Sequence, residues 1–519
     1  MKKKIIVDPI KNTGREINYI PFRYIVAIFL VVLETLAVIA VMSFITIYVP
    51  YFYFAVVATQ FGVAIAIINR KDNPDYKLPW LFFVMLIPIV GFMLYFMFYS
   101  RKLNKKQIKR MDRLTKQRIK KDDTGLLAQL SSQDEIIVSQ AAILKKLSDS
   151  HIYANTDIRY FPLGENLFAA MVEDLKKAEK FIFMEYFIIE GGLFWNTILE
   201  ILKKKAKSGV EVRVVYDDIG CMMTLPGSYH KQLRKLGIKA VPFSRLRGQA
   251  NNEFNNRSHR KITVIDGKVG YTGGVNIADE YINRIERFGH WKDAGLRMQG
   301  EAVNELTRLF LIDYGLNDKK AEDNFADYFG NEVCKQDGYC IPFGDGPKPI
   351  YERQVAKTAI LNMLNQAKRY VYITTPYLII DNELIQTLEN TAMRGVDVRI
   401  ITPHIPDKKL VFLMTRSHYA LLLKAGVNIY EYESGFVHAK TYLSDDETAI
   451  VGTINMDYRS LVHHFENGVW IYKHKVLEDI KKDIFDTQAK SIQVGSGMLK
   501  ENLWQRFVRA MVKVFSPLL

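Results

Sequence analysis

Cysteine is scarce: the 519 residues contain three, Cys221, Cys334 and Cys340. That excludes a disulfide framework and a structural zinc site, and leaves three ordinary thiols. Acid is nearly missing from residues 101–121, where eleven Lys/Arg stand against Asp112 alone. This one stretch holds two-thirds of the chain's formal excess of +15. Charge so concentrated excludes a protein that spreads basic residues over a nucleic-acid-binding surface. With 49% hydrophobic and 24% charged residues the chain is neither disordered nor collagen-like, and its length suits about three domains.

Charge is also rare in three N-terminal runs. Residues 24–49 are apolar except for Glu34; after Pro50, residues 51–68 continue with Gln60 and Gly62 as weak points. A polar loop at 69–77 precedes residues 78–99, apolar throughout and containing Pro79, Pro88 and Gly91. Each run reaches or approaches the ~20 residues that cross a bilayer core, and together they exclude a cleaved signal peptide. The basic block after residue 99 marks a cytoplasmic end, but so do Lys2, Lys3, Lys4, Lys11, Arg15 and Arg23. Two cytoplasmic ends require an even number of crossings. One of the three runs is therefore expected to be re-entrant or interfacial, within 24–68, where Glu34 and Pro50 weaken the helix. The basic block either holds the soluble part against an anionic leaflet, at about 1 kcal/mol per Lys or Arg, or serves only to fix orientation. In the tail, Leu503, Phe507, Val508, Met511, Val514 and Phe515 suit an interfacial helix or a cover for the core.

Beyond residue 150, short apolar strands alternate with amphipathic helices, the pattern of an α/β fold. A strand is expected at 181–189, a helix at 193–207 and a strand at 209–216 (GVEVRVVY). The same order returns at 370–373, 383–394 and 395–401 (GVDVRII), and 236–243 (LGIKAVPF) corresponds to 425–432 (AGVNIYEY). This is an internal duplication, and a pseudo-twofold relation between the copies brings one chemical element from each to a shared seam. Residues 343–349 (FGDGPKP) are the expected linker.

Each copy contains the same constellation. His259, Lys261 and Asp266 form H-x-K-x4-D, as do His438, Lys440 and Asp445. A Gly follows each Asp by seven residues (Gly273, Gly452) and an Asn by ten (Asn276, Asn455). One such match has chance odds of roughly one in twenty in a chain this long; two with shared offsets are not chance. Strand alternation projects His259 and Lys261 to one face, with Ile262 and Val264 on the other. A two-residue turn at Asp266-Gly267 sets Lys261 opposite Thr272 and His259 opposite Gly274; in the second copy Lys440 faces Val451 and His438 faces Thr453. The glycines would let an anion approach the backbone.

Paired His, Lys and Asn suit phosphodiester transfer. Ammonium and amide groups hold phosphate oxygens, one imidazole attacks phosphorus, and the other protonates the leaving alkoxide and then deprotonates the acceptor. His259 is the favoured nucleophile, although symmetry alone lets the roles exchange. Each imidazole needs an acceptor at its second nitrogen; Asp293 (WKDAG) and Glu466 (FENG) follow the motifs at similar distances. Asp266 and Asp445 suit holding the hairpin and the Lys, and His464 is a weak candidate for lining the site. No metal is needed, because the site has its own cations and lacks a carboxylate cluster of the Mg²⁺ kind.

The duplicated motif is that of the phospholipase D superfamily. YDDIG (216–220), HRKITVIDG, GYTGGVNIADEY, TTPYLIIDNEL, GYCIPFGDGP, HAK with GTINMDYRS, and the terminal SPLL resemble bacterial cardiolipin synthases across nearly the whole chain. The resemblance implies two phospholipase D-like α/β halves packed with pseudo-twofold symmetry, behind an N-terminal helical transmembrane anchor. It implies transfer of a phosphatidyl group between two phosphatidylglycerols with release of glycerol, and catalytic roles for His259, Lys261, Asp266, His438, Lys440 and Asp445. Two departures stand out: HFE at His464 where the family often has NFE, and an extra apolar run in the anchor.

The expected division is a transmembrane anchor (1–100), a basic juxtamembrane segment (101–149), a first half (150–340), a second half (341–495) and an amphipathic tail (496–519). Expected partners are phosphatidylglycerol, anionic lipid and the membrane, with no nucleic acid and no cofactor. The expected location is the bacterial cell membrane, multi-pass, with the catalytic part on the cytoplasmic side. A phospholipase or other membrane-bound phosphodiesterase would use the same site with water as acceptor. A silent lipid-binding scaffold fits poorly with intact motifs in both halves.

Overall fold

The computed structural model describes residues 22–48, 50–98, 105–132, 134–245, 255–318, 320–321, 324–348 and 350–499. The basic N-terminal stretch, the first residues of the basic block and the C-terminal tail beyond 499 lie outside the described residues.

The N-terminal part consists of helices Phe22–Tyr48, Pro50–Ile68, Pro74–Leu86 and Pro88–Phe98. Pro50, Pro74 and Pro88 each open a helix, where the missing N–H has no intrahelical partner to lose. Among the described residues one stretch, Tyr51–Ile68, is long and apolar enough to cross a bilayer. Pro50 separates two helices, but the run that breaks internally is the third rather than one within 24–68. It parts at Ile87, because Pro88 has no N–H for the carbonyl of Val84.

The described residues of the catalytic body form two large mixed sheets. In the first, the spatial order is Thr156–Phe161, Gly295–Gly300, Val269–Gly273, Ile262–Ile265, Phe181–Tyr186, Glu211–Asp217, Lys239–Phe243. In the second, Tyr339–Asp345, Glu466–Tyr472, Thr448–Gly452, Thr441–Ser444, Tyr370–Thr374, Asp397–Pro403 and Asn428–Tyr432 repeat that order strand for strand, with Ser491–Gln493 added at the edge. The duplication legible in the chain is thus a duplication of topology. Phe343–Asp345, expected in a linker, instead complete the strand Tyr339–Asp345 and pair with Glu466–Gly468.

Alternation decides what each strand buries. Ile262 and Val264 join Leu443 and Val451 of the other sheet in one apolar cluster with Leu306 and Phe310 of the helix Val303–Asn317. Ile265 faces the opposite cluster, beneath the helices that cover the first sheet. The helix Lys105–Thr115 from the basic block packs Met111 and Leu114 into the shared cluster, so the block is not merely a solvated face.

The hairpins differ from expectation by one residue. Ile262 pairs with Thr272 and Ile265 with Val269, and Thr441 pairs with Val451 and Ser444 with Thr448. The tight turn does form: Lys268 N–H donates to Ile265 C=O and Glu447 N–H to Ser444 C=O, both at 3.0 Å. Asp266 and Asp445 are left-handed, at φ 54° and 58°. One residue, Lys268 or Glu447, is then bulged out before pairing begins, and the bulge moves the register.

Candidate active site

The strands that should carry the histidines begin just after them, at Ile262 and Thr441. Each histidine lies on an extended lead-in, and each lead-in is bonded to the other half. Ser258 bridges Phe465, and His259 N–H donates to Phe465 C=O at 2.8 Å. Gly435–Val437 pairs in parallel with His290–Lys292, and His438 N–H donates to Lys292 C=O at 2.7 Å. The residue following each partner segment is an acid: Glu466 beside His259, Asp293 beside His438.

Those acids meet the imidazoles. His259 Nδ1 stands 3.0 Å from both Glu466 carboxylate oxygens, and His438 Nδ1 stands 2.7 Å from Asp293 Oδ2. Both carboxylates are fully buried. A carboxylate at Nδ1 keeps the proton there and leaves Nε2 as the free nitrogen. Both histidines line one cavity of about 720 Å³. Phe187 packs 5.2 Å from the His259 ring; Tyr281 and Trp291 pack 5.3 and 5.7 Å from that of His438.

The other expected residues divide. Asn276 and Asn455 line the cavity. The amide of Asn276 is engaged, donating to Tyr281 Oη at 2.8 Å and accepting from Ile188 N–H at 3.1 Å. Asn455 Oδ1 is buried without a hydrogen-bond partner among the described residues. Lys261 and Lys440 stand behind the histidines and are not among the described lining residues; each ammonium donates to the carbonyl of its own motif's histidine. Lys440 Nζ also lies 2.8 Å from His438 Nδ1.

Asp266 and Asp445 are not brought to the cavity. Seven extended residues place each roughly 20 Å along the chain from its histidine. The Asp266 carboxylate accepts from the N–H groups of Glu179, Lys180 and Phe181, and that of Asp445 from Lys368, Arg369 and Tyr370, at 2.7–2.9 Å. Each acid ties its hairpin to the start of the neighbouring strand. The offset to Gly273 and Gly452 shared by the two copies also has a packing cause. A Cβ there would lie 2.5 Å from the carbonyl oxygen of Ala294 or 2.4 Å from that of Asn467, so these glycines admit the acid-bearing strand rather than an anion.

Burial dominates the electrostatics. It pushes His259 well below the usual imidazole range, with Lys261 and Lys440 adding to the effect. Burial and Lys440 together push His438 down to about 4. Burial lowers Lys261 far below its ordinary value and Lys440 to about 8, and raises Glu466 to about 7. Burial also acts to raise Asp293, but His438 and Lys440 outweigh it and hold that carboxylate low. Beyond burial, Lys261 and Lys440 disfavour protonation of the two imidazoles, a repulsion that an entering phosphodiester would offset.

His259, His464 and Glu466 bring three donor atoms within 4.8 Å of one another, a set that could hold a transition-metal ion. The Lys261 and Lys440 ammoniums beside it oppose a dication.

Sequence spacing missed Arg260. It points away from the cavity, where Nη1 donates to Asp313 at 2.8 Å and Nε to Glu466 C=O at 3.1 Å, joining the halves directly behind the catalytic seam. It also missed Thr453 as a partner of Glu466, to which its hydroxyl donates. His464 lines the cavity with its ring 5.7 Å from that of His259.

Two similar α/β halves with a histidine from each in one cavity define a phospholipase D-type enzyme. The solved phosphatidylserine synthase of Haemophilus influenzae has a similar fold, with a TM-score of 0.56 at 16% identity over 74% of this chain and 98% of that one. A family model described as the cardiolipin synthase PLD-like domain matches residues 171–290 and again 360–487, and a phospholipase D-nuclease N-terminal model matches 60–98. A Staphylococcus aureus (strain Mu50) protein named cardiolipin synthase is 33% identical over 85% of this chain and 90% of its own length. Another so named, from Alkalihalophilus pseudofirmus, is 33% identical over 88% and 92%. A Streptococcus mutans protein, named only as uncharacterized, is 41% identical over 88% of this chain and its whole length. The chain belongs to the cardiolipin synthase family of the phospholipase D superfamily, and it is a phosphatidyltransferase.

Proposed function

We propose that the protein makes cardiolipin, moving the phosphatidyl group of one phosphatidylglycerol onto a second and releasing glycerol. The observation that carries this is the pair of imidazoles, each tied at Nδ1 by a carboxylate of the other half, lining a single cavity. Burial, with Lys261 and Lys440 adding to it, keeps His259 unprotonated, which suits a nucleophile. Its Nε2 attacks phosphorus and forms phosphatidyl-His259. His438, backed by the ionised Asp293, takes up a proton as the phosphodiester brings negative charge into the cavity. It gives that proton to the departing glycerol oxygen. His438 Nε2 then removes the proton of the second phosphatidylglycerol's hydroxyl, whose oxygen attacks phosphorus and frees His259. Lys261 and Lys440 oppose the charge that grows on the phosphate oxygens, and the buried Asn455 Oδ1 offers an acceptor to a substrate hydroxyl. Asp266 and Asp445 fix the hairpins and take no part in the chemistry.

In the same proposal the catalytic part lies on the cytoplasmic side of a multi-pass anchor (1–100), followed by the basic segment (101–149). The two halves meet at the strand Tyr339–Asp345, and the tail (496–519) completes the chain.

The test uses the purified full chain in phosphatidylglycerol vesicles. Equal amounts of cardiolipin and glycerol are expected, and acid-labile radiolabel on His259 in a rapidly quenched reaction. Phosphatidic acid as the sole product would make the enzyme a hydrolase; label on His438 would exchange the two roles.

A further inference from the structure

Both ends of the third apolar run are tied to the catalytic body. At its start, Asn73 Nδ2 donates to Asp381 Oδ2 at 2.6 Å, and Asp75 accepts from Asn382 N–H at 2.8 Å and from the Tyr458 hydroxyl at 3.1 Å. Tyr76 is buried, with its ring 5.4 Å from His463. Tyr458 lines the cavity, so this polar shoulder sits at the cavity rim. Beyond the run's end, Arg110 on the helix Lys105–Thr115 donates to the carbonyls of Gly315 and Asp318 in the body. The link from Phe98 to Lys105 reaches at most about 25 Å when fully extended, less than the ~30 Å hydrocarbon core. Phe98 therefore cannot end across the bilayer from the body.

Between these ties the chain folds back. The 13 residues of Pro74–Leu86 and the 11 of Pro88–Phe98 rise roughly 20 and 16 Å, each too little to cross. The rings of Trp80 and Tyr95 lie 5.9 Å apart, and a Cβ on Gly91 would stand 2.2 Å from the Phe83 carbonyl oxygen, so the arms run antiparallel in close contact. Pro88 deprives the Val84 carbonyl of its helical donor. That carbonyl and the carbonyl of Met85 instead accept from Gln60 Nε2, at 3.0 and 2.8 Å. Gln60 lies midway along Tyr51–Ile68. An amide at mid-depth, costly alone in lipid, here satisfies backbone groups that lipid cannot.

We propose that Pro74–Phe98 is a re-entrant hairpin that enters and leaves the bilayer on the face carrying the catalytic body, with its tip held at mid-depth by Gln60. Its partner is the acyl region of a single leaflet, met by the exposed Leu78, Leu86 and Phe96. Pro50–Ile68 and Phe22–Tyr48 then supply two crossings, and both basic flanks fall on one side. The hairpin's shoulder sets the cavity rim against that same leaflet.

Single cysteines at Lys71→Cys, Ile87→Cys and Lys116→Cys in the full chain test this, with the unsubstituted chain as background for Cys221, Cys334 and Cys340. Lys71 and Lys116 are exposed. In sealed spheroplasts and inverted vesicles, a membrane-impermeant maleimide should label Lys71→Cys and Lys116→Cys from the same face, and Ile87→Cys from neither. Labelling of the first two from opposite faces, or of Ile87→Cys from either, overturns the hairpin. Neither result depends on activity, so failure here would leave the proposed reaction standing.

Discussion

Glu466 follows His259 by 207 residues and belongs to the other sheet, yet both its carboxylate oxygens stand 3.0 Å from Nδ1 of that histidine. Asp293 returns the arrangement to His438. Neither motif histidine takes its carboxylate from its own half, so the site exists only where the halves meet.

The exchange predicts how substitutions behave. Glu466→Gln and Asp293→Asn should each lower kcat by roughly 10²–10⁴-fold, because an amide no longer fixes the imidazole tautomer or its charge. Circular dichroism should show the fold retained. Adding His259→Ala to Glu466→Gln should cost little beyond His259→Ala alone, since the two act as one unit. Additive losses would mean that Glu466 serves something other than His259.

The turn acids should behave in the opposite way. Asp266→Asn and Asp445→Asn keep a side chain that tolerates the left-handed turn but weaken three hydrogen bonds each. A loss of about 1–2 kcal/mol in denaturant unfolding is expected, larger for Asp445, whose bonds are the more buried. The folded fraction should keep near-normal turnover. Abolished turnover at unchanged stability would return both acids to the catalytic set.

Much of this was legible in the chain, for physical reasons. The strand Glu211–Asp217 and its counterpart Asp397–Pro403 lie between other strands and share one pattern, a Val, an Arg and then a β-branched pair, which reads as the same buried strand in both copies. The helix Leu193–Lys207 has the expected limits, because Gly192 and Gly209 bound a clean amphipathic stretch. The bulges at Lys268 and Glu447 were not legible, since nothing local distinguishes a two-residue turn from one with an added residue. Nor was the exchange of Glu466 and Asp293 between halves. It depends on pairing between segments some two hundred residues apart, and spacing within one copy carries no information about it. Arg260 was hidden by the same alternation that revealed His259 and Lys261, because it points to the face where apolar residues were expected.

Lys440 sets an alkaline limit. Burial leaves it with a folded value of about 8, below its ordinary range. Turnover should fall as pH rises through about 8, when the ammonium behind His438 is lost. Stability should move the other way. Above the folded value and up to the unfolded one, the unfolded chain binds the extra proton, so the contribution of this group to stability rises with pH. Activity profiles recorded beside thermal unfolding from pH 6 to 10 would separate the two; a parallel fall in both would mean that unfolding, not Lys440, limits the rate.

Gln60 offers the last test, in the anchor. Gln60→Leu makes the span Tyr51–Ile68 more apolar, which by hydropathy alone should favour membrane insertion. It also removes the donor to the Val84 and Met85 carbonyls, which the Pro88 break leaves without a helical one. The loss of two hydrogen bonds, one buried and one half-buried, outweighs one residue's gain in transfer energy, so the variant should be less stable by about 1–3 kcal/mol in detergent or bilayer. Thr59→Leu is the control, since among the described residues its hydroxyl bonds to Ala55 C=O within its own helix. A lower Tm for Gln60→Leu with an unchanged one for Thr59→Leu would assign the effect to the hairpin tip. Equal Tm values for both variants and the parent would show that the amide holds nothing that matters to the fold.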